Sequence, residues 1–251
     1  MKRKLTLGDT EVARIGLGTN RLRDTPENVA FVQQAVAAGI DYVDTAHTYT
    51  DGESERTIGA AGPNAVVGTK GGFAPGKGSP DELRAQLDES LRRLGVDSIE
   101  VYYLHRVDPE TPLEESVGAL AECRESGKIR QIGLSQVDVE QIEQARRLVP
   151  VAAVQNHYNL AERRYEDVVD HCEAEGIPFV PYFPLRDDGG HPVAEIAERH
   201  GATQAQVTLA WLLRRSPVML PIPGSLSLEH VRENLAALEL ELSDEEFAEL
   251  G

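Results

Sequence analysis

The chain has 251 residues, 41% of them hydrophobic, and carries 42 acidic against 25 basic residues for a net charge of −17. That apolar fraction argues against disorder, and the acid excess argues against binding a nucleic acid, whose phosphates are held by clustered Lys and Arg. No run approaches the roughly 18 apolar residues of a membrane span, and the basic start Met1-Lys2-Arg3-Lys4 leads into Leu5-Thr6-Leu7-Gly8-Asp9 instead of an apolar signal core, so a soluble cytoplasmic protein is expected.

Residues 3–7 and 11–14 read as a β-hairpin across the turn Gly8-Asp9-Thr10, placed to plug the lower end of whatever follows. Apolar, β-rich runs then recur at 12–17, 41–45, 65–69, 99–104, 129–134, 152–155, 178–182 and 218–222. Helices with explicit start signals lie between them. Thr25-Pro26, Ser79-Pro80-Asp81-Glu82 and Thr111-Pro112-Leu113-Glu114 each set a hydroxyl before a Pro at the first helical position, and the last two complete a capping box. After Ser79, Leu83, Leu87, Leu91 and Leu94 share one helix face that can pack on a sheet. Buried strands each followed by a helix imply a parallel sheet, and eight such units predict an α/β fold: a (β/α)8 TIM barrel with an N-terminal β-hairpin, a single domain over residues 1–251. A doubly wound sheet is the alternative.

Two nucleotide-binding motifs are imitated and fail. Gly16-Leu17-Gly18-Thr19-Asn20-Arg21 puts Arg where a dinucleotide turn needs Gly or Ala. In the stretch 71–77, Gly78 stands where a P-loop needs Ser or Thr for magnesium, and Pro75 removes an amide from the cradle. Cys123 and Cys172 lie in helical patterns and read as buried free thiols. His47, His157, His171, His191, His200 and His230 lack metal-ligand spacing, so no metal is assigned; His47 is placed to line a pocket between Asp44 and Tyr49.

In a barrel of this kind the active site lies at the C-terminal ends of the strands. The second run closes with Asp44, followed by Tyr49; the third is followed by Lys70 and the fourth by His105. Together they form a proton-transfer set. A phenol is a poor acid at neutral pH, and a Lys ammonium a few ångströms away lowers its pKa. Asp44 supplies the counter-charge that keeps a buried Lys70 ionised, and His105 can donate to a carbonyl oxygen. Tyr103 and Phe183 read as barrel packing, and Arg106 and Asp108 as rim or solvated loop residues.

With these residues in place, the chain resembles the aldo-keto reductase superfamily from about Leu5 to Leu250. The resemblance is carried by Gly16-Leu17-Gly18-Thr19, Asp44-Thr45-Ala46 through Tyr49, Gly52-Glu53-Ser54-Glu55, Thr69-Lys70, Leu104-His105, Gly127-Lys128-Ile129-Arg130 with Ile132-Gly133-Leu134-Ser135, Gln155 with Tyr158-Asn159, and Tyr182-Phe183-Pro184-Leu185. It implies a nicotinamide-dependent reductase with Tyr49 as general acid, tuned by Lys70 and Asp44, and His105 orienting the carbonyl. It further implies that Ser135 and Gln155 hold the nicotinamide carboxamide, that Tyr182 stacks on its ring, and that Gly18, Thr19, Asp44, Pro184 and Leu185 border the cofactor. The adenosine end would follow Ile222-Pro223-Gly224-Ser225, Leu226-Ser227 and the helix bearing Arg232, Glu233 and Asn234.

The chain departs from the pattern in three places. His230 and the loop Gly224–Ser227 lack the cations that usually select the 2′-phosphate, although Arg232 and a helix N-terminus remain, so the balance tips only to NADPH over NADH. Gln136 replaces the usual Asn after the serine, which relocates one amide contact. The loop Arg186-Asp187-Asp188-Gly189-Gly190-His191 is shorter than the usual lid-bearing segment, which predicts fast cofactor exchange and an open pocket.

The expected function is NAD(P)H-dependent reduction of a small aldehyde or ketone, with a cofactor-binding redox sensor or regulatory subunit on the same barrel as the alternative. The partner is a small-molecule carbonyl compound, with no nucleic acid and no membrane. A self-repelling acidic surface favours a monomer over a homodimer, and 20 Arg against 5 Lys with scattered acids suggests a salt-rich cytosol.

Overall fold

Two antiparallel strands open the chain, β1 (Lys4–Leu7) and β2 (Thr10–Ala13), joined through Gly8 at φ 59°. The computed structural model describes residues 3–187 and 189–251; Met1, Lys2 and Asp188, which figured in the basic start and the shortened loop, lie outside them. The hairpin takes up residues 12 and 13, so the run expected over 12–17 is split. Its barrel part is only β3 (Leu17–Gly18).

After β3 the chain alternates: α1 (Pro26–Ala37), β4 (Tyr42–Asp44), α2 (Glu53–Ala61), β5 (Val66–Gly71), α3 (Pro80–Leu94), β6 (Ile99–Leu104), α4 (Leu113–Glu125), β7 (Ile129–Ser135), α5 (Val139–Arg146), β8 (Val151–Gln155) and α6 (Glu166–Glu175). Then come α7 (Val193–His200), α8 (Gln204–Arg215), α9 (Leu228–Ala236) and α10 (Asp244–Glu249). Strands β3 to β8 pair in chain order, all parallel, in one curled sheet.

The runs at 178–182 and 218–222 complete the ring without becoming regular strands. Pro178, Pro181, Pro221 and Pro223 lack the N–H that a ladder needs, so pairing survives only as isolated contacts. Val180 N donates to Val154 O at 2.7 Å, Phe179 N to Val218 O at 2.9 Å and Leu220 N to Phe179 O at 2.8 Å. Gly16 N and Gly18 N then donate to Pro221 O and Pro223 O at 3.0 and 3.2 Å. Closure brings two backbones together at Gly18, where an added Cβ would stand 2.7 Å from Ile222 O. Arg14, buried at the end of β2, donates to Met219 O at 3.2 Å and Leu213 O at 2.9 Å, tying the hairpin to this seam.

Strand alternation sorts the apolar side chains into two cores. Val43, Tyr102, Leu104, Ile132, Leu134 and Val154 face outward against the helices, including Leu83, Leu87 and Leu94 of α3. Tyr42, Val66, Val101, Tyr103, Ala153, Val180 and Leu220 fill the interior, where Leu7 and Val12 of the hairpin join them. The hairpin therefore plugs the lower end, as expected.

Helix starts are only partly those anticipated. Thr25 caps α1 through Asn28 N at 3.3 Å, but neither Ser79 nor Thr111 forms its capping box. Ser79 Oγ instead donates to Gly76 O at 3.3 Å, and Thr111 Oγ1 to Asp108 Oδ2 at 3.2 Å. Complete boxes form at Asp138, Thr203 and Ser243.

Candidate active site

The interior parity that seats Tyr42, Gly68, Tyr103, Gly133, Ala153 and Val180 continues two residues on to Asp44, Lys70, His105, Ser135, Gln155 and Tyr182. Side chains of period two put all six at the upper mouth of the barrel. Register completes the set: Asp44 lies opposite Gly18 and Gly68, Lys70 opposite Tyr103, and Ser135 opposite Gln155.

Lys70 is fully buried and its ammonium has three partners: Asp44 Oδ2 at 2.7 Å, Thr45 O at 2.6 Å and the Tyr49 hydroxyl at 3.4 Å. Asp44 takes a further bond on Oδ1 from Gln155 Nε2 at 2.8 Å. Tyr49 begins a short 3-10 turn, 49–52, in which Thr50 and Asp51 adopt φ of 48° and 54°. Thr50 Oγ1 donates to Leu22 O at 2.7 Å and accepts from Ser54 N at 3.1 Å, which holds this left-handed backbone. The Gly52–Glu55 motif acts underneath. Ser54 Oγ lies 2.8 Å from Thr19 Oγ1 and 2.7 Å from Thr45 Oγ1, while buried Glu55 accepts from Thr69 at 2.7 Å and from Arg93 at 3.2 Å.

Burial dominates the electrostatics. It pushes Asp44 above the usual carboxylate range despite the attraction of Lys70, and it opposes the ammonium of Lys70, which the charges of Asp44 and Tyr49 nevertheless hold above its ordinary value. Burial also raises the Tyr49 phenol above 10; Lys70 pulls it down only in part. The expectation of a phenol made more acidic than usual is thereby corrected, because a phenolate loses more hydration here than one ammonium at 3.4 Å returns. His105, its ring centroid 6.1 Å from that of Tyr49, is driven down to about 2 by burial and by the charges of Lys70 and Arg106. It is a neutral imidazole whose Nδ1 is buried without a hydrogen-bond partner among the described residues, which leaves Nε2 to face the cavity.

These groups form the floor of a cavity of about 630 Å³. Of the residues expected around a cofactor, Gly18, Thr19, Asp44, Ser135, Gln155, Tyr182, Pro184, Leu185, Ile222 and Gly224 line it. Thr19 presents little more than its backbone, since its hydroxyl donates to Asp44 O at 2.7 Å. Beyond the cavity wall, Ser225 and Ser227 are engaged with each other, Ser227 N donating to Ser225 Oγ at 2.9 Å, and Ser227 caps α9 through His230 N. Arg232 is exposed on that helix, Glu233 O accepts from Gln206, and Asn234 is buried.

Three readings change. His47 does not line the cavity: its Nε2 lies 2.8 Å from Glu89 Oε2 on α3 and its carbonyl accepts from Arg93. Phe183 is not interior packing; at φ 51° it stands 41% exposed on the cavity rim, whereas Tyr103 is interior and bonded to Tyr42 at 2.9 Å. Asp108 is buried and accepts from Gly76 N at 3.0 Å and Gly78 N at 2.8 Å, so the P-loop-like amides are already occupied by a carboxylate.

Asn20, Arg21, Phe73 and Arg106 also line the cavity, beyond the residues that the motifs indicate. Their signal was position, each lying within three residues of a strand end. Gln136, at φ 58°, has a buried Nε2 without a hydrogen-bond partner among the described residues. His157 stacks behind Tyr182 with ring centroids 5.1 Å apart and planes 7° from parallel.

Residues 14–251 match the sequence model of the Aldo/keto reductase family. The chain is 35% identical over 267 residues to an uncharacterized oxidoreductase of Schizosaccharomyces pombe, covering 97% of this chain and 87% of that protein. It is also 35% identical over 272 residues to pyridoxine 4-dehydrogenase of Escherichia coli, covering 96% and 94%. Among solved structures, a thermostable aldo-keto reductase in complex with the inhibitor epalrestat superposes with a TM-score of 0.90 at 34% identity, over 98% of each chain. An aldo-keto reductase from Klebsiella pneumoniae in complex with NADPH does so with a TM-score of 0.90 at 33% identity, over 100% of this chain and 94% of that one.

Proposed function

The chain belongs to the aldo/keto reductase family, and on that premise we propose that it reduces a small aldehyde or ketone to an alcohol with NADPH, or less favourably NADH, using Tyr49 as general acid. The observation that carries this is the convergence of a buried Asp44–Lys70 pair on the Tyr49 hydroxyl, at 2.7 and 3.4 Å, beneath a cavity that His105 also enters.

The cavity suits a nicotinamide. Gln136 Nε2 is a buried donor in want of an acceptor, the Ser135 hydroxyl has no partner among the described residues, and the Gln155 oxygen is left over once its nitrogen is bound to Asp44. Donors and an acceptor for one carboxamide are therefore at hand, beside the open face of Tyr182. Relatives of known structure hold NADPH, or NADP with acetate, which supports the choice of cofactor. When bound, the cofactor supplies the hydride for the carbonyl carbon.

The chain's own residues attend to the carbonyl oxygen. Neutral His105 orients it through Nε2–H, and the Tyr49 hydroxyl delivers a proton to it as negative charge develops. The resulting phenolate is stabilised by Lys70, which Asp44 keeps charged and aimed. A phenol held above 10 stays loaded with its proton across the neutral range.

The test is oxidation of NADPH, and separately of NADH, by purified protein with a reactive aromatic aldehyde in molar KCl. Tyr49→Phe is expected to keep cofactor binding, read by fluorescence, and to lose carbonyl reduction by about 10²-fold or more. Unchanged turnover in that variant removes Tyr49 from its role. Binding without turnover across a broad carbonyl panel replaces the reductase with a redox sensor.

A further inference from the structure

Acids outnumber bases 42 to 25 in this chain, and most of its arginines are matched with one, among them Arg84 with Glu122, Arg146 with Glu175, Arg164 with Glu162 and Arg199 with Glu249. The cavity mouth is the reverse. Arg21, Arg106 and Arg186 line it and are exposed, and none forms an ion pair with a described residue. Asp44 is the one acid among the described lining residues, and Lys70 neutralises it. A concave, partly apolar site bounded by unmatched cations attracts and focuses anions, the more so inside a protein whose remaining surface repels them.

The three arginines are not equivalent. Arg21 follows Gly18, Thr19 and Asn20 on the side proposed for the cofactor. Arg106 directly follows His105; its guanidinium lies 5.1 Å from the centre of the Phe73 ring, which itself lies 4.8 Å from that of His105. Its charge acts on His105 and on the Tyr182 phenol, so it stands near both the carbonyl-orienting and the ring-stacking sides. Arg186 lies 4.2 Å from the centre of the Phe183 ring. Stacking against an aromatic ring steadies a guanidinium and leaves its in-plane N–H groups to grip a carboxylate or phosphate in a fork. Phe73 and Phe183, 44% and 41% exposed, offer apolar platforms beside those forks.

We infer that the enzyme's substrates are carbonyl compounds bearing an anionic group, carboxylate or phosphate, separated from the C=O by a short apolar stem, with Arg106 as the specificity-determining cation and Arg186 assisting at the rim. This rests on the reductase reading and names its substrate class. The anionic group is untouched by the reaction: the carbonyl carbon gains a hydride from NADPH, its oxygen gains the Tyr49 proton, and the alcohol leaves with its charge unchanged.

The test compares kcat/KM for 4-carboxybenzaldehyde, benzaldehyde and 4-(trimethylammonio)benzaldehyde, with succinic semialdehyde against butanal as an aliphatic pair. The wild type is expected to favour each carboxylate over its neutral analogue by about tenfold, and the trimethylammonium compound is expected to be the poorest of its series. Arg106→Gln is expected to bring the carboxylate-to-neutral ratio to about one, chiefly through KM, and Arg106→Lys to restore part of it. Because the readout is a ratio, a general loss of activity divides out. A wild-type ratio near one, or a ratio that Arg106→Gln leaves alone, overturns the inference while the reductase reading stands. Weakened NADPH binding in Arg106→Gln with an unchanged ratio also overturns it, by assigning Arg106 to the cofactor. Failure of every aldehyde overturns both.

Discussion

Replacing Lys70 by Met removes the cation from a fully buried site. Two short bonds are lost, to Asp44 at 2.7 Å and to Thr45 O at 2.6 Å, and the buried Asp44 is left with the neutral donors Gln155 and Tyr42 and no counter-charge. At about 1.5–3 kcal/mol for each hydrogen bond to a charged group, the loss is about 3–6 kcal/mol, in line with the roughly 3–5 kcal/mol seen when one partner of a buried pair is removed. For a chain of this length that is a fall of about 6–24 °C in Tm. Adding Asp44→Asn removes the stranded charge and should return at least about half of the loss, so the two substitutions are expected to couple by about 2 kcal/mol in a double-mutant cycle. The pH dependence follows in sign. Without Lys70 the native carboxyl titrates further above its unfolded value, so the deficit of Lys70→Met is smallest below that unfolded value, near pH 4, and grows as pH rises through the native one. Thermal melts of the four proteins at several pH values, with aldehyde reduction beside them, provide the assay. Strict additivity, or a single variant within about 0.5 kcal/mol of wild type, would refute the claim that Lys70 and Asp44 hold one another in place.

Other outcomes follow from the same geometry. With His105 held down to about 2 and Tyr49 raised, kcat/KM for reduction should show no break from about pH 5.5 to 9; a step near 6.5 would make His105 an ordinary titrating imidazole. The depressed His105 also means that the unfolded chain takes up a proton the native one refuses, so stability should decline as pH falls below about 6.5. Gly18→Ala pushes a methyl group against Ile222 O and should cost about 1–3 kcal/mol in melting experiments, with weakened cofactor binding; a neutral substitution would mean the ring is not closed tightly there. Raising KCl from about 0.1 M to 1 M shortens the Debye length from about 10 Å to about 3 Å and should raise the Tm, since it screens 17 surplus negative charges; a fall would show that ion pairs such as Arg84–Glu122 outweigh that repulsion.

The strand ends were legible because they obey a local rule. Asp44, Lys70, His105, Ser135, Gln155 and Tyr182 each sit two residues beyond an inward-facing position, and chain order alone placed them on one rim. Legibility failed where a side chain had two partners to choose from. Ser79 and Thr111 had the spacing for capping boxes, yet the buried carboxylate of Asp108 took one hydroxyl and a turn carbonyl the other. His47 pointed to α3 and not to the cavity, because Glu89 and Arg93 lay within its reach there.

Composition, period-two alternation and the order of strand-end residues were enough to determine an eight-fold α/β ring with Asp44, Lys70 and His105 gathered at its mouth, since these depend on neighbours in sequence. Tertiary structure decided how the ring closes, with prolines reducing two strands to isolated bridges, and how charge is distributed around the site. It matched most of the arginines with acids and left all three at the cavity, Arg21, Arg106 and Arg186, without an acidic partner among the described residues. It also set the titration of the catalytic candidates, because desolvation depends on everything packed around a group and not on the residues beside it in the chain.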